Sequence, residues 1–232
     1  MEITFSIVGT AGREDDSKRL SKNHFEAMCI VAEGLIDQCG ENNYPITHLV
    51  SGGAAWADHV AVRLFLKKKV SKLRLFLPCE FEGGTFHDTG EKKNNPGGTL
   101  NYYHKKFQST TNINSLTEIQ IARAEGAELL PCRGGFFGRN AMVAKSDFIL
   151  ACTFGHEHTL KDGGTANTVK VYLDRVRKEG IFDKSFHYDL NSGKIYIGCI
   201  VPKETEDEKL KKSLSRRFQI PLHQIVAAHS SP

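Results

Sequence analysis

The sequence predicts an α/β protein built on an open parallel sheet with helices on both faces, and three observations carry that reading. Short β-rich apolar runs alternate with segments of helical spacing through residues 1–180 of the 232-residue chain. Three of the runs end in glycine-rich turns. One run, Phe148 to Thr153, is apolar without alternation, as a strand covered on both faces must be. An alternating strand and helix order of this kind pairs its strands in parallel, and a Rossmann-like sheet follows.

Each element has its own local reason. Residues 3–8 are a β-rich run that breaks at Gly9-Thr10-Ala11-Gly12-Arg13, a first strand entering a loop. Phe25, Met28, Cys29, Ala32, Leu35 and Ile36 recur at helical spacing, predicting a crossover helix over 21–38 that stops at Gly40. A second strand over 47–50 ends at Ser51-Gly52-Gly53 and leads to a helix over 54–66, with Trp56, Val60 and Leu64 facing inward. A third strand over 73–77 is closed by Pro78.

Between 79 and 114 the pattern breaks. Gly83-Gly84, Asn94-Asn95-Pro96-Gly97-Gly98 and residues 109–112 are loop chemistry, so this stretch reads as a long insert of the lid type, interrupted by a short helix around Tyr102, Tyr103 and Phe107. A helix over 116–125, a short strand over 127–130, a loop at Arg133-Gly134-Gly135 and a helix over 138–145 lead to the central strand at 148–153. A loop over 155–164 and a helix over 165–178 complete the main body. In the region 181–232, Asn191-Ser192-Gly193 between two β-rich runs signals a hairpin, and the mixed charges of 204–218 a solvated helix packed on the same domain.

Composition narrows the function classes. A net charge of +4, from 31 basic and 27 acidic residues, is too mild to argue for nucleic-acid binding. The densest cationic cluster, Lys67-Lys68-Lys69 with Lys72, reads as a solvated helix end. Six cysteines are scattered without a C-x-x-C pair, which fits reduced core residues in a cytoplasmic protein. No signal peptide or membrane-length apolar run is found.

In a parallel sheet the three glycine-rich turns, Gly9 to Arg13, Ser51 to Gly53 and Gly155 to Thr165, gather at the carboxyl edge. There glycine lets backbone N–H groups approach a phosphate, and the following helix N-terminus favours the anion. Neither G-x-G-x-x-G nor G-x-x-x-x-G-K-[ST] is present, so dinucleotide dehydrogenases and P-loop NTPases are disfavoured.

The order Ile7-Val8-Gly9-x-x-x-Arg13, Ser51-Gly52-Gly53-Ala54-x-x-Ala57-Asp58-x-x-Ala61, Gly138-Arg139-Asn140-x-Met142 leading into Ser146-Asp147-Phe148, and Gly163-Gly164-Thr165 resembles the SLOG superfamily. Within it the YspA and YpsA type is nearest, with relatives among the Lonely Guy nucleotide phosphoribohydrolases, the DNA-processing protein A domain and molybdenum-cofactor carrier proteins. The resemblance covers residues 3–175. It implies a sheet that binds nucleotides or nucleotide-derived molecules, cleaving the N-glycosidic bond in some members and only sensing or carrying the ligand in others. Carried over by position, it implies that Gly52, Gly53, Gly163, Gly164 and Thr165 hold phosphate or ribose, with Arg139 facing the ligand and Asp58 on the helix after the second loop. Gly9, Thr10, Arg13, Ser51 and Asn140 complete the expected ligand-binding set.

The phosphoribohydrolases carry glutamates just after their glycine-rich turn, whereas this chain reads Gly163-Gly164-Thr165-Ala166-Asn167-Thr168-Val169-Lys170. The carboxylate that would stabilise an oxocarbenium-like centre or activate water is missing there. Asp58, Asp162 and Glu157 are the candidates to replace it.

Other groups are weighed against plainer readings. His156-Glu157-His158 lacks a third ligand at a recognisable spacing, so no metal site is expected. Asp15-Asp16 are candidate ligands for a Mg2+ ion accompanying phosphate, the alternative being a solvated loop pair. Tyr102, Tyr103, His104 and Phe107 are candidates to stack on a base or to pack the insert against the body, and Trp56 to touch a ligand or fill the core. No other cofactor is expected. The leading expectation is a module binding a nucleotide-type small molecule, with an N-glycosidase acting on a nucleoside monophosphate or NAD-like substrate as the alternative and single-stranded DNA binding as the third. No membrane partner is expected, and the relatives suggest a homodimer.

Overall fold

A computed structural model describes residues 2–161 and 163–201. The chain opens with β1 (Thr4–Gly9), a four-residue turn of helix α1 (Asp16–Arg19) and the long helix α2 (Lys22–Glu41). It continues through β2 (His48–Ser51), α3 (His59–Leu66) and β3 (Lys72–Leu77), then a two-stranded hairpin of β4 (Phe81–Glu82) and β5 (Thr85–Phe86). Helices α4 (Pro96–Thr111) and α5 (Ser115–Ala124) precede β6 (Glu128–Pro131), α6 (Gly135–Val143), β7 (Phe148–Thr153) and α7 (Gly164–Glu179). A hairpin of β8 (Ser185–Asp189) and β9 (Lys194–Ile197) follows. The expected helix over 204–218 lies outside the described residues.

The expected Rossmann-like sheet is found: seven strands in the order β6-β3-β2-β1-β7-β8-β9, parallel throughout except for the β8–β9 hairpin. Side chains alternate across it into two cores. Phe5, Ile7, Leu49, Leu73, Leu75, Leu150 and Cys152 join α2, α3, α4 and α5 on one face. Val8, Val50, Phe76, Ile149 and Ala151 join α6 and α7 on the other. Helices on both faces explain why β7 is buried at every position.

From β1 the chain builds outward through β2, β3 and β6, then returns across the sheet by α6 to lay β7 on the opposite side of β1. The connections after β1 and β7 therefore diverge, and a crevice is left at their carboxyl ends.

Three expectations are corrected. Helix α2 runs through Gly40, because one glycine costs only about 1 kcal/mol in a helix whose face is anchored by buried Phe25, Met28, Leu35 and Ile36. Helix α3 begins at His59 and not at 54, since Trp56 adopts a left-handed φ of 63° that no helix interior accommodates. The 79–114 stretch is largely regular: Asn95 caps α4 by accepting from Gly98 N at 2.8 Å, and Pro96 fits the first helical position, so Gly97 and Gly98 are wound into its first turn and residues 109–111 into its last. Asn101 exchanges two hydrogen bonds with the Phe86 backbone, at 3.0 and 2.9 Å, and fixes the β4–β5 hairpin to this helix.

No helix among the described residues is long and apolar enough to cross a membrane.

Candidate functional site

The crevice between the ends of β1 and β7 opens into a cleft of about 580 Å³. Its walls come from the loop after β1 (Gly9, Thr10, Arg13, Glu14, Asp16), the turn before α3 (Ala54, Asp58), α6 (Phe136, Phe137, Arg139, Asn140), and the β7 end with the loop and helix after it (Thr153, Lys161, Gly163, Gly164, Thr165, Asn167). Nine of the expected ligand-binding residues line it: Gly9, Thr10, Arg13, Asp58, Arg139, Asn140, Gly163, Gly164 and Thr165.

The floor is made by close backbone approach. A Cβ on Gly9 would lie 2.2 Å from the Cys152 carbonyl oxygen and 2.6 Å from the Ala57 side chain, so only glycine lets β1 turn here. Thr10 N donates to the Cys152 carbonyl at 2.9 Å, and Thr165 Oγ1 donates to the Gly9 carbonyl at 2.8 Å. These bonds tie the β1 loop to β7 and to the start of α7. Gly163, the residue before α7, has no side chain to cap the first-turn N–H groups, and the positive end of a 16-residue helix faces the cleft.

One wall holds a buried polar cluster. Asp16 Oδ2 accepts from Thr10 Oγ1 at 2.7 Å, Thr10 Oγ1 accepts from Gly12 N at 3.1 Å, and Lys161 Nζ meets Asp16 Oδ1 at 2.6 Å. Asp16 and Lys161 escaped the expected ligand-binding set because their pairing spans 145 residues. Asp15 is exposed and pairs with Lys18, so the two adjacent carboxylates serve different lysines and do not form the pair a Mg2+ ion would need.

Behind it, Asp58 and Arg139 form a desolvated pair, Oδ2 to Nη1 3.6 Å, with side chains 5% and 13% exposed. Burial raises the Asp58 carboxyl above its usual range, opposed mainly by Arg139; burial likewise pulls the guanidinium down, opposed by Asp58. Arg139 donates three hydrogen bonds within the protein, two to Asn140 Oδ1 at 3.2 and 2.9 Å and one to the Gly52 carbonyl at 3.2 Å. Arg139 thus lines the cleft as expected, with most of its fork committed to Asn140 and one bond holding the second glycine turn.

That turn is otherwise closed. Ser51, Gly52 and Gly53 do not line the cleft. Ser51 Oγ is buried within 3.1 Å of the Ile7 carbonyl and 2.9 Å of the Asp58 carbonyl, and a Cβ on Gly52 would meet the Arg139 guanidinium at 2.7 Å. Gly53, at φ 69°, offers its carbonyl to His104 Nε2 at 3.0 Å. Glycine is required here for packing beneath Arg139 and against Leu77; the loop reaches the cleft through Ala54 and Asp58.

The mouth carries aromatic and cationic groups. The Arg13 guanidinium lies 5.6 Å from the Tyr103 ring centroid and 5.3 Å from that of Phe136, whose ring also carries Arg139 at 5.4 Å. Among the described residues Arg13 makes no ion pair. Phe137 lies on the same wall and is 77% exposed.

Several other candidates are placed elsewhere. His104 and Phe107 are buried in the core, so of the two readings they pack the insert against the body; Tyr102 is exposed outside the cleft beside Lys106, and Tyr103 reaches the cleft only through Arg13. Trp56 fills the core against Phe107, ring centroids 4.9 Å apart. Glu157 is exposed away from the cleft, and His158 is held by the Gly198 carbonyl at 3.0 Å. Lys68 and Lys69, just after α3, pair with Glu125 and Glu33 at the surface. Among the described residues no three or more His, Cys, Asp or Glu side chains could hold a metal ion. Asp162 lies outside the described residues.

No family model matches the chain. It is similar to an uncharacterized protein of Acanthamoeba polyphaga mimivirus, 37% identical over 169 residues that make up 72% of this chain and 89% of the viral one. At that identity, over that share of both sequences, the chain belongs to the same family as the mimivirus protein.

Proposed function

We propose that the protein binds a phosphate-bearing, nucleotide-type small molecule in the cleft between β1 and β7, in the manner the SLOG resemblance implies. One observation carries the reading: the start of α7, Gly163-Gly164-Thr165, opens into the same cleft as Lys161 and Arg13, which makes no ion pair among the described residues. Helix N-terminus, backbone N–H groups and two cations converging on one concavity suit a phosphate. Arg139 is the less available cation, because Asn140, Gly52 and Asp58 already hold it.

The test is retention. The purified chain is incubated with nucleoside monophosphates, NAD, ADP-ribose and cyclic dinucleotides, and bound and free molecules are quantified by chromatography. One compound retained intact, and lost in Arg13→Ala and Lys161→Ala, supports binding. No retention of any phosphate compound overturns the reading.

The N-glycosidase alternative draws on Asp58, a cleft-lining carboxyl held above its usual range, which suits a general acid or base. Against it, the wall after the α7 turn presents Asn167, an amide that cannot exchange protons as a carboxylate would; it accepts from Asn140 Nδ2 at 3.2 Å. Accumulation of free base or nicotinamide by the native protein, abolished by Asp58→Asn, would establish hydrolysis in place of simple binding.

A further inference from the structure

We propose that Phe137 is the stacking platform for the base of the nucleotide-type ligand of this cleft. The inference rests on the phosphate-binding reading above and specifies the other half of the molecule. Phe137 is the most exposed large apolar side chain among the described residues, at 77%, and it sits in the wall of the cleft that Arg13, Lys161 and the start of α7 also line. Its neighbour Phe136 is accounted for: that ring is half-buried against the core and carries both Arg13 and Arg139. Phe137 has no such partner, and no ring or cation contact within the described residues uses its face.

An exposed phenyl ring costs solvation that a core position would relieve. Its position in the first turn of α6, after Gly134 and Gly135, sets it on the cleft wall and away from either core cluster. A base stacked there gains contact over a π face without any specific hydrogen bond, which makes the platform tolerant of base identity. The polar groups that share the cleft with it are on Thr10, Asp16, Lys161 and the α7 start. A sugar phosphate would satisfy those and leave Phe137 in water, whereas a nucleoside monophosphate covers both.

The test measures dissociation constants for AMP, GMP, CMP, UMP and ribose 5-phosphate with the native chain and with Phe137→Ala, Phe137→Leu and Phe137→Trp, each variant checked for native circular dichroism. The expected result is that at least one nucleotide binds about 10-fold or more tightly than ribose 5-phosphate. Phe137→Ala and Phe137→Leu then lose about 10-fold toward that nucleotide and nothing toward ribose 5-phosphate, while Phe137→Trp keeps the nucleotide. If ribose 5-phosphate binds as tightly as every nucleotide, or if Phe137→Ala leaves nucleotide affinity intact, the platform is overturned and the phosphate site stands. If the native chain binds none of the five, the platform is overturned, and the phosphate-binding reading is decided by the retention test on the wider panel.

Discussion

Lys161 Nζ lies 2.6 Å from Asp16 Oδ1, joining the loop after β7 to the segment after β1 across the wall of the cleft. The pair sets the charge a ligand meets, because it neutralises one of the cations that would otherwise face an anion. Replacing either partner should therefore move anion affinity in opposite directions. Asp16→Asn keeps an oxygen to accept from Thr10 and releases Lys161, so phosphate-compound affinity should rise several-fold. Lys161→Ala leaves the Asp16 carboxylate facing the cleft, and affinity should fall about 10-fold, with a stability loss of about 1 kcal/mol. Calorimetric titration of both variants checks this; a change of the same sign in both would rule out competition between Asp16 and the ligand for Lys161.

Two glycines at the same edge should behave in opposite ways. In Gly9→Ala the new Cβ would sit 2.2 Å from backbone oxygen that belongs to the central strand, which cannot yield without separating β1 from β7. A loss of about 3 kcal/mol or more is expected in urea unfolding. Gly164→Ala meets nothing within 4 Å and lies at the start of α7, so stability should hold or rise by up to about 1 kcal/mol. Ligand affinity should nonetheless drop, since the methyl group enters the space above the first-turn N–H groups. A Gly164→Ala protein with native stability and native affinity would place the phosphate elsewhere in the cleft.

The strands and the carboxyl edge of the sheet were legible because the apolar runs of β1, β2, β3 and β7 are local signals. Gly9, Gly163, Gly164 and Thr165 were legible as a turn before a helix for the same reason. What was missed is long-range. Nothing near Lys161 announces Asp16, and nothing near Gly52 announces that Arg139 will cover it. The insert misled because glycine pairs usually mark loops, yet the Asn95 cap and Pro96 start a helix that buries Leu100, His104 and Phe107, and this burial outweighs two glycines. Phe137 stood beside Gly138 in plain sight, but exposure is a property of the folded surface.

Asp58 and Arg139 support each other in a desolvated setting, so removing one alone leaves a buried group without its counter-charge. Arg139→Ala should cost about 3 kcal/mol or more, through the stranded carboxyl and the loss of the bond to the Gly52 carbonyl. Asp58→Asn should cost less, as the amide oxygen still accepts from Ala54 N. The double variant Asp58→Asn/Arg139→Ala, compared with both singles in chemical unfolding, should recover part of the Arg139 loss. Strict additivity of the two losses would show that the pair contributes nothing as a pair.

His104 is buried, with Nε2 donating to the Gly53 carbonyl at 3.0 Å, so Nδ1 accepts from Ser115 Oγ at 2.8 Å and the ring is neutral. Burial, followed by the neighbouring His59, pushes its pKa down to about 3. In the unfolded chain the same ring titrates near 6.5, so between pH 6.5 and about 3 the unfolded state binds a proton that the native state refuses. Stability is then unaffected by this group above pH 6.5 and falls as the pH drops below it, by about 1.4 kcal/mol per pH unit. Buried His59 is shifted in the same direction by its own desolvation, which outweighs the pull of Glu118. Gln at position 104 can donate to Gly53 and accept from Ser115 without titrating. His104→Gln should accordingly lose roughly 2 kcal/mol less than the native chain between pH 7 and pH 5, whatever its stability at pH 7. Equal losses in urea unfolding at the two pH values would mean that His104 is protonated in the native fold and that the contact with Gly53 is not the one described.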